Sequence, residues 1–274
     1  MFAEIVYKNL TPSPRGIPLD RGNVCAADKR VSRLRRAKGG PIAVDEVCLN
    51  KGVITMINVA IDGPAGAGKS TVAKAAAKEL GYIYVDTGAL YRTVALGAQR
   101  KGILGDTDKI IEMLADIVVE LKYIDGVQAV FLNGEDVSSL IRTPEISMGA
   151  SAVSAIPKVR EFLLDLQRDI AKKNNVIMDG RDIATVVLPN ADVKIFLFAS
   201  PECRAKRRYD ELIAKGESVM YEDVLADVNQ RDYQDSHREI APLKPSEESI
   251  LLDTSELNLE ESIQAIINIV KENI

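Results

Sequence analysis

The sequence predicts an α/β fold, a mostly parallel sheet covered by helices. Three observations carry this. From residue 57 onward five short apolar runs recur along the chain, helical patterns separate them, and the first run passes through a glycine-rich turn directly into a helix. Runs this apolar suit strands buried on both faces.

The runs are INVAID (57–62), YIYVD (82–86), VIMD (176–179), VKIFLFAS (193–200) and ILLDTS (250–255). Each is short, rich in β-branched or aromatic residues and closed by turn formers. Of the helices, TVAKAAAKEL (71–80) has the alanines that permit close packing on a sheet. LEESIQAIINIVKENI (259–274) sets Ile263, Ile266, Ile267 and Val270 along one face. Residues 121–140 (LKYIDGVQAVFLNGEDVSSL) break this rhythm. Asp125-Gly126 separates two alternating runs and Asn133-Gly134 marks a second turn, so a small antiparallel insertion is expected there.

With 274 residues and 46% apolar content, the chain can bury the core of one sizeable domain, or of one carrying an inserted subdomain. Charge interrupts the apolar runs well before the roughly 20 residues a membrane span needs, and no leader pattern is present, so a cytoplasmic protein without membrane contact is expected. Cys25, Cys48 and Cys203 have neither disulfide-framework nor CxxC spacing; reduced thiols and no metal cage follow. The net charge of −5 is uneven: residues 1–55 carry +5 and the remainder −10. The basic run KRVSRLRRAK at 29–38 fits a nucleic-acid contact or a solvated tail. The tail reading is preferred, because the rest of the chain is acidic and carries no nucleic-acid motif. Residues 1–55 show no sustained period and are expected to be a poorly ordered extension ahead of a domain at 56–274, with the native start at Met56 left open.

The densest chemistry lies at residues 63–70, GPAGAGKS, a full G-x-x-x-x-G-K-[ST] match after a strand and before a helix. Gly63, Gly66 and Gly68 allow backbone geometries and close approach that side chains forbid. With Pro64, Ala65 and Ala67 they form a loop whose N–H groups can face phosphate oxygens. Lys69 supplies a cation to the β and γ phosphates, and Ser70 a hydroxyl for Mg²⁺, with Thr71 as a competitor. A nucleoside triphosphate site is therefore expected. No NKxD segment reads guanine and no LSGGQ run is present. A regulatory ATP switch would leave unexplained the cations on turns at one sheet edge: Arg92, Arg181, Arg231 and Arg238. Such a set can hold a second phosphate and neutralise a transferring phosphoryl group.

These residues closely resemble the bacterial cytidylate kinases, of the nucleoside monophosphate kinase group. The resemblance runs over residues 57–270 through GPAGAGKST, DTGALYR (86–92), RTPEISMGASAVSAIPKVR (142–160), DGRDIATVVLP (179–189), FASPECRAKRR (198–208) and RDYQDSHREIAPLKP (231–245). It implies a P-loop kinase core with a monophosphate-binding insertion at about 118–160 and a short lid at about 201–220. It also implies transfer of the γ-phosphoryl group of ATP, with Mg²⁺, to CMP or dCMP by a monomer.

Carried over residue by residue, Thr87 and Arg92 contact the acceptor, and Arg181 and Arg238 join Arg92 on its phosphate. Ser151, Arg160 and Asp182 read the base; Arg231 and Asp235 meet the sugar side. Lys69, Arg181 and the lid arginines Arg204, Arg207 and Arg208 are the candidates for stabilising the transferring group. Several positions keep a plainer reading: Arg160 with Asp182 as a structural ion pair, Asp86 as a turn cap, and His237 as a neighbour without catalytic role. Asp179 also fits an acid that orders metal-bound water. A binding module that holds ATP without turnover, and a related kinase acting on UMP or shikimate, remain the competing readings.

Overall fold

A computed structural model describes residues 5–8, 56–124 and 126–274. The basic cluster at 29–38, Cys25, Cys48 and the Asp125 half of the expected hairpin turn lie outside them. The chain forms Ile5–Lys8 (β1), Asn58–Asp62 (β2), Lys69–Leu80 (α1), Ile83–Asp86 (β3), Thr87–Arg100 (α2), Thr107–Met113 (α3), Val119–Ile124 (β4), Val127–Leu132 (β5) and Glu135–Asp136 (β6). It continues through Pro144–Ser154 (α4), Pro157–Lys173 (α5), Val176–Gly180 (β7), Val193–Phe198 (β8), Pro201–Ala214 (α6), Tyr221–His237 (α7), Ile250–Asp253 (β9) and Leu259–Glu272 (α8).

Alternation along β2 sets the layering. Val59 and Ile61 pack with Ala73, Ala76 and Ala77 of α1 and Ile266, Ile267 and Val270 of α8. Ala60 belongs to the opposite layer, with Leu90 and Val94 of α2 and Leu163 and Ile170 of α5. β7 repeats the device, Ile177 on the first side and Val176 and Met178 on the second. Coverage on both sides is why these strands read as unbroken apolar runs. The five strands are parallel in the order β3-β7-β2-β8-β9, so β7 is held by main-chain pairing on both edges.

The insertion is antiparallel. β4 pairs β5 and β5 pairs β6, with Gly126 (φ 77) in one turn and Asn133 and Gly134 (φ 52 and 83) in the next. Ile5–Lys8 pairs β4 from the outside, so part of the segment expected to be poorly ordered contributes a strand. Beyond β8, α6 and α7 pack on each other through Ala205, Val224 and Val228. No described helix is long and apolar enough to cross a membrane.

α8 begins with a reciprocal cap: Asn258 Oδ1 accepts from Glu261 N at 3.0 Å, and Glu261 Oε2 accepts from Asn258 N at 2.9 Å. Asn258→Ala is expected to cost about 1 kcal/mol, lowering Tm by about 2–4 °C for a domain of this size; an unchanged thermal transition contradicts this. A chain beginning at Met56 is expected to keep a single cooperative thermal transition, since β4 retains β5 as partner. Loss of that transition would make residues 1–55 part of the folding unit.

Candidate active site

The loop between β2 and α1 is shaped by its glycines. A Cβ on Gly63 (φ 151) would lie 1.9 Å from the Leu197 carbonyl oxygen, and Gly66 and Gly68 also adopt positive φ. Lys69 follows, buried, with Nζ donating to the Pro64 carbonyl at 2.7 Å. Burial, with Arg181 close by, holds its ammonium below the usual lysine range. An arriving polyphosphate would relieve both effects.

At the start of α1, Ser70 Oγ donates to Asp179 Oδ2 at 2.8 Å, while Tyr84 Oη donates to Oδ1 at 2.9 Å. Burial raises the Asp179 carboxyl above the usual carboxylate range, and the nearby Asp86 adds to the shift. Hard oxygen donors of this kind, set beside a phosphate loop, suit Mg²⁺, which takes one or two protein ligands and completes its shell with phosphates and water. Among the described residues no cluster of three or more His, Cys, Asp or Glu forms a metal cage. Thr71 also borders the cleft, but Ser70 is the hydroxyl that meets Asp179.

The side of the site where the acceptor residues are expected is built on the end of β7. Thr87 Oγ1 donates to the Asp179 carbonyl at 2.7 Å, and a Cβ on Gly180 would stand 2.8 Å from that hydroxyl. Asp86 serves two purposes: Oδ1 caps α2 by accepting from Ala89 N at 2.9 Å, and Oδ2 meets Arg92 Nη2 at 2.8 Å. Arg181 Nε reaches Asp235 Oδ2 at 2.8 Å. Asp182 accepts from Arg160, whose guanidinium also lies over the Tyr91 ring, and stands 3.7 Å from Arg238 Nη2. Arg92 Nε and Arg238 Nη2 are buried without a hydrogen-bond partner among the described residues. Orphaned cationic donors are costly, so the surroundings of these two favour negative charge.

One cleft of about 420 Å³ joins these parts. Ala65 to Thr71 line it, and Gly63 and Pro64 do not. All nine residues expected at the acceptor (Thr87, Arg92, Ser151, Arg160, Arg181, Asp182, Arg231, Asp235 and Arg238) line it as well. Arg231 and Ser151 are exposed within it. His237 lies off the lining, its ring stacked on Tyr233.

The lid arginines lie apart from this lining. Arg204 is buried, donating Nε to the Ala199 carbonyl, Nη1 to the Ala65 carbonyl and to Asp232, and Nη2 to Asp232 at 2.5 Å. Arg207 donates to the Thr254 carbonyl at 2.7 Å, and Arg208 stands on the exposed side of α6, 3.6 Å from Glu211. None of the three borders the cleft. Main-chain carbonyls and a carboxylate from α7 occupy the donors of Arg204, which in this arrangement clamps the phosphate loop.

Sequence reasoning missed several contributors. Tyr84 and Asp62 hold the end of β7 and the turn after it, and Gln128 of β5 ties down Asp86 by donating to its carbonyl (3.3 Å) and accepting from its N–H (2.8 Å). A strand-ending Asp immediately before the glycine loop was the signal available for Asp62.

The family model described as cytidylate kinase matches residues 59–272. A cytidylate kinase of Caldicellulosiruptor bescii is 51% identical over 214 residues, covering 78% of this chain and 95% of its own length. One from Lactobacillus gasseri is 50% identical over 223 residues, 81% and 97% respectively. A solved shikimate kinase from Bacteroides thetaiotaomicron is 14% identical at a TM-score of 0.42, covering 79% of this chain and 99% of that one. With its glycine loop, its acceptor cleft and a match across nearly all of residues 56–274, the chain belongs to the cytidylate kinase family.

Proposed function

We propose that the chain transfers the γ-phosphoryl group of ATP to CMP or dCMP, giving ADP and CDP or dCDP. Phosphorylation of CMP follows from the family. The observation that carries the finer reading is the single cleft in which the phosphate loop faces a set of acceptor residues with two orphaned cationic donors, Arg92 Nε and Arg238 Nη2.

The chemistry is positioning and charge. The main-chain N–H groups of residues 65–70 and the Lys69 ammonium hold the donor phosphates. Ser70 and Asp179 are the residues to hold Mg²⁺, which when bound neutralises charge on the β and γ phosphates. Arg92, Arg181 and Arg238 hold the acceptor phosphate in line, with Arg181 also serving the transferring group. Arg160 and Ser151 donate to the base while Asp182 accepts from its exocyclic amine; Arg231 and Asp235 meet the sugar. An acceptor phosphate is largely ionised near neutral pH, so no protein base is required. Arg204 acts through the loop it clamps, and Arg207 and Arg208 serve the lid, whose closure excludes water. We read the protein as a cytoplasmic monomer.

A coupled ADP-release assay with CMP, dCMP, UMP, AMP and shikimate tests the reading. Turnover is expected with CMP or dCMP and little with the others; equal ADP release without any acceptor contradicts it. Lys69→Ala is expected to lose about 100-fold or more in kcat with the fold intact by circular dichroism. Near-normal turnover in that variant overturns the loop's role. Arg181→Ala is expected to lower kcat/KM for CMP and UMP in similar proportion, because phosphate is common to both. Asp182→Ala is expected to narrow the CMP-to-UMP ratio of kcat/KM about tenfold, as a buried polar group loses its pairing. Opposite behaviour of the two variants would exchange their roles.

A further inference from the structure

We propose that Asp62 is a positioning residue: it caps the turn Ile183–Val187 in place of Asp182 and so leaves the Asp182 carboxylate free for the acceptor base. The proposal rests on the reading of Asp182 as a base contact.

Residues 183–187 form a π-helical turn, with Val187 N donating to the Asp182 carbonyl at 3.2 Å and Leu188 N to the Ile183 carbonyl at 2.7 Å. The first N–H groups of any such turn lack partners within it. Asp182 occupies the position from which an aspartate ordinarily folds back to accept from them. It makes no such bond. Its carboxylate is instead turned towards Arg160 and Arg238, on the cleft.

The missing cap comes from the neighbouring strand. Asp62 Oδ1 accepts from Ile183 N and Oδ2 from Ala184 N, each at 2.8 Å. Register places Asp62 beside Gly180 of β7, so the reach is short. The residue is 1% exposed. Burial pushes its carboxyl up to about 6, with the Asp182 charge adding to the shift, while the two N–H bonds and Lys69 oppose it. A carboxylate held this deeply is costly unless both oxygens are bonded, and here both are. Without Asp62 two buried N–H groups lose their acceptors, and the nearest replacement is Asp182 itself. Folding back to serve them would remove Asp182 from Arg160 and from the base. Since Gly63 follows Asp62 directly, one residue also ties the phosphate loop to the acceptor segment.

The test compares kcat and KM for CMP, UMP and ATP in the wild type, Asp62→Asn, Asp62→Ala and Asp182→Ala. Asp62→Ala is expected to raise KM for CMP about tenfold and narrow the CMP-to-UMP ratio, with KM for ATP within about twofold of wild type. Asp62→Asn, which keeps one acceptor oxygen, should fall between. A ratio and KM unchanged in both Asp62 variants while Asp182→Ala alters the ratio overturns the proposal and spares the base reading. An unchanged ratio in Asp182→Ala overturns the base reading and the proposal with it. Amide hydrogen exchange on the wild type decides the matter without a variant: Ile183 and Ala184 N–H should be protected before CMP is added. Free exchange until CMP binds overturns the cap.

Discussion

Residues 179–182, at the end of β7, hold the cleft together. β7 is paired on both edges, by β3 and β2, so its last residues start from a fixed backbone. Asp179 then takes Ser70 and Tyr84 on its carboxylate and Thr87 on its carbonyl. Arg181 turns to Asp235 of α7, and Asp182 to Arg160 of α5. Four parts of the chain that are far apart in sequence meet on these four consecutive residues. The start of α1 after the glycine loop and the helices α2, α5 and α7 are therefore positioned by one strand end, in the crevice where open parallel sheets bind ligands.

Charge pairing shapes this crevice. Cations gathered in one cleft repel one another, and the chain answers by pairing them: Arg92 with Asp86, Arg181 with Asp235, Arg160 with Asp182. Partly buried pairs contribute little net stability because desolvation offsets attraction. Their value here is geometric, since each carboxylate aims a guanidinium fork before the substrate arrives. The pairing is deliberately incomplete only in its result: Arg92 Nε and Arg238 Nη2 keep unmet donors. Those donors favour an anionic occupant over water.

The sheet was legible because its strands are buried on both faces, which leaves apolar runs of recognisable length; INVAID, VIMD and VKIFLFAS map onto β2, β7 and β8. The glycine loop was legible because its motif and its strand-to-helix setting coincide. Of the residues expected at the acceptor, only the arginines Arg92, Arg181, Arg231 and Arg238 were legible from their turn positions at one sheet edge. The whole set comes from α2, α4, α5, the end of β7 and α7, and only the family resemblance added Thr87, Ser151, Arg160, Asp182 and Asp235 to those arginines. Side-chain partners were the hardest to read. RAKRR looks like a group of free cations, yet the surroundings of Arg204 are fixed by Asp232 on α7 and by carbonyls of Ala65 and Ala199. Asp62 looks like any strand-ending acid until β7 and the turn after it are brought alongside. Ile5–Lys8 is too short for a period to register, and its partner β4 lies more than a hundred residues away.

At the centre of this account is direct transfer between two substrates held in one cleft, with no protein nucleophile between them. The stereochemical course at the γ-phosphorus tests that claim most directly, using ATP made chiral there with oxygen isotopes and CMP as acceptor. A single in-line displacement predicts inversion of configuration in the CDP formed. Retention would mean two displacements through a phosphorylated residue, and would contradict the account.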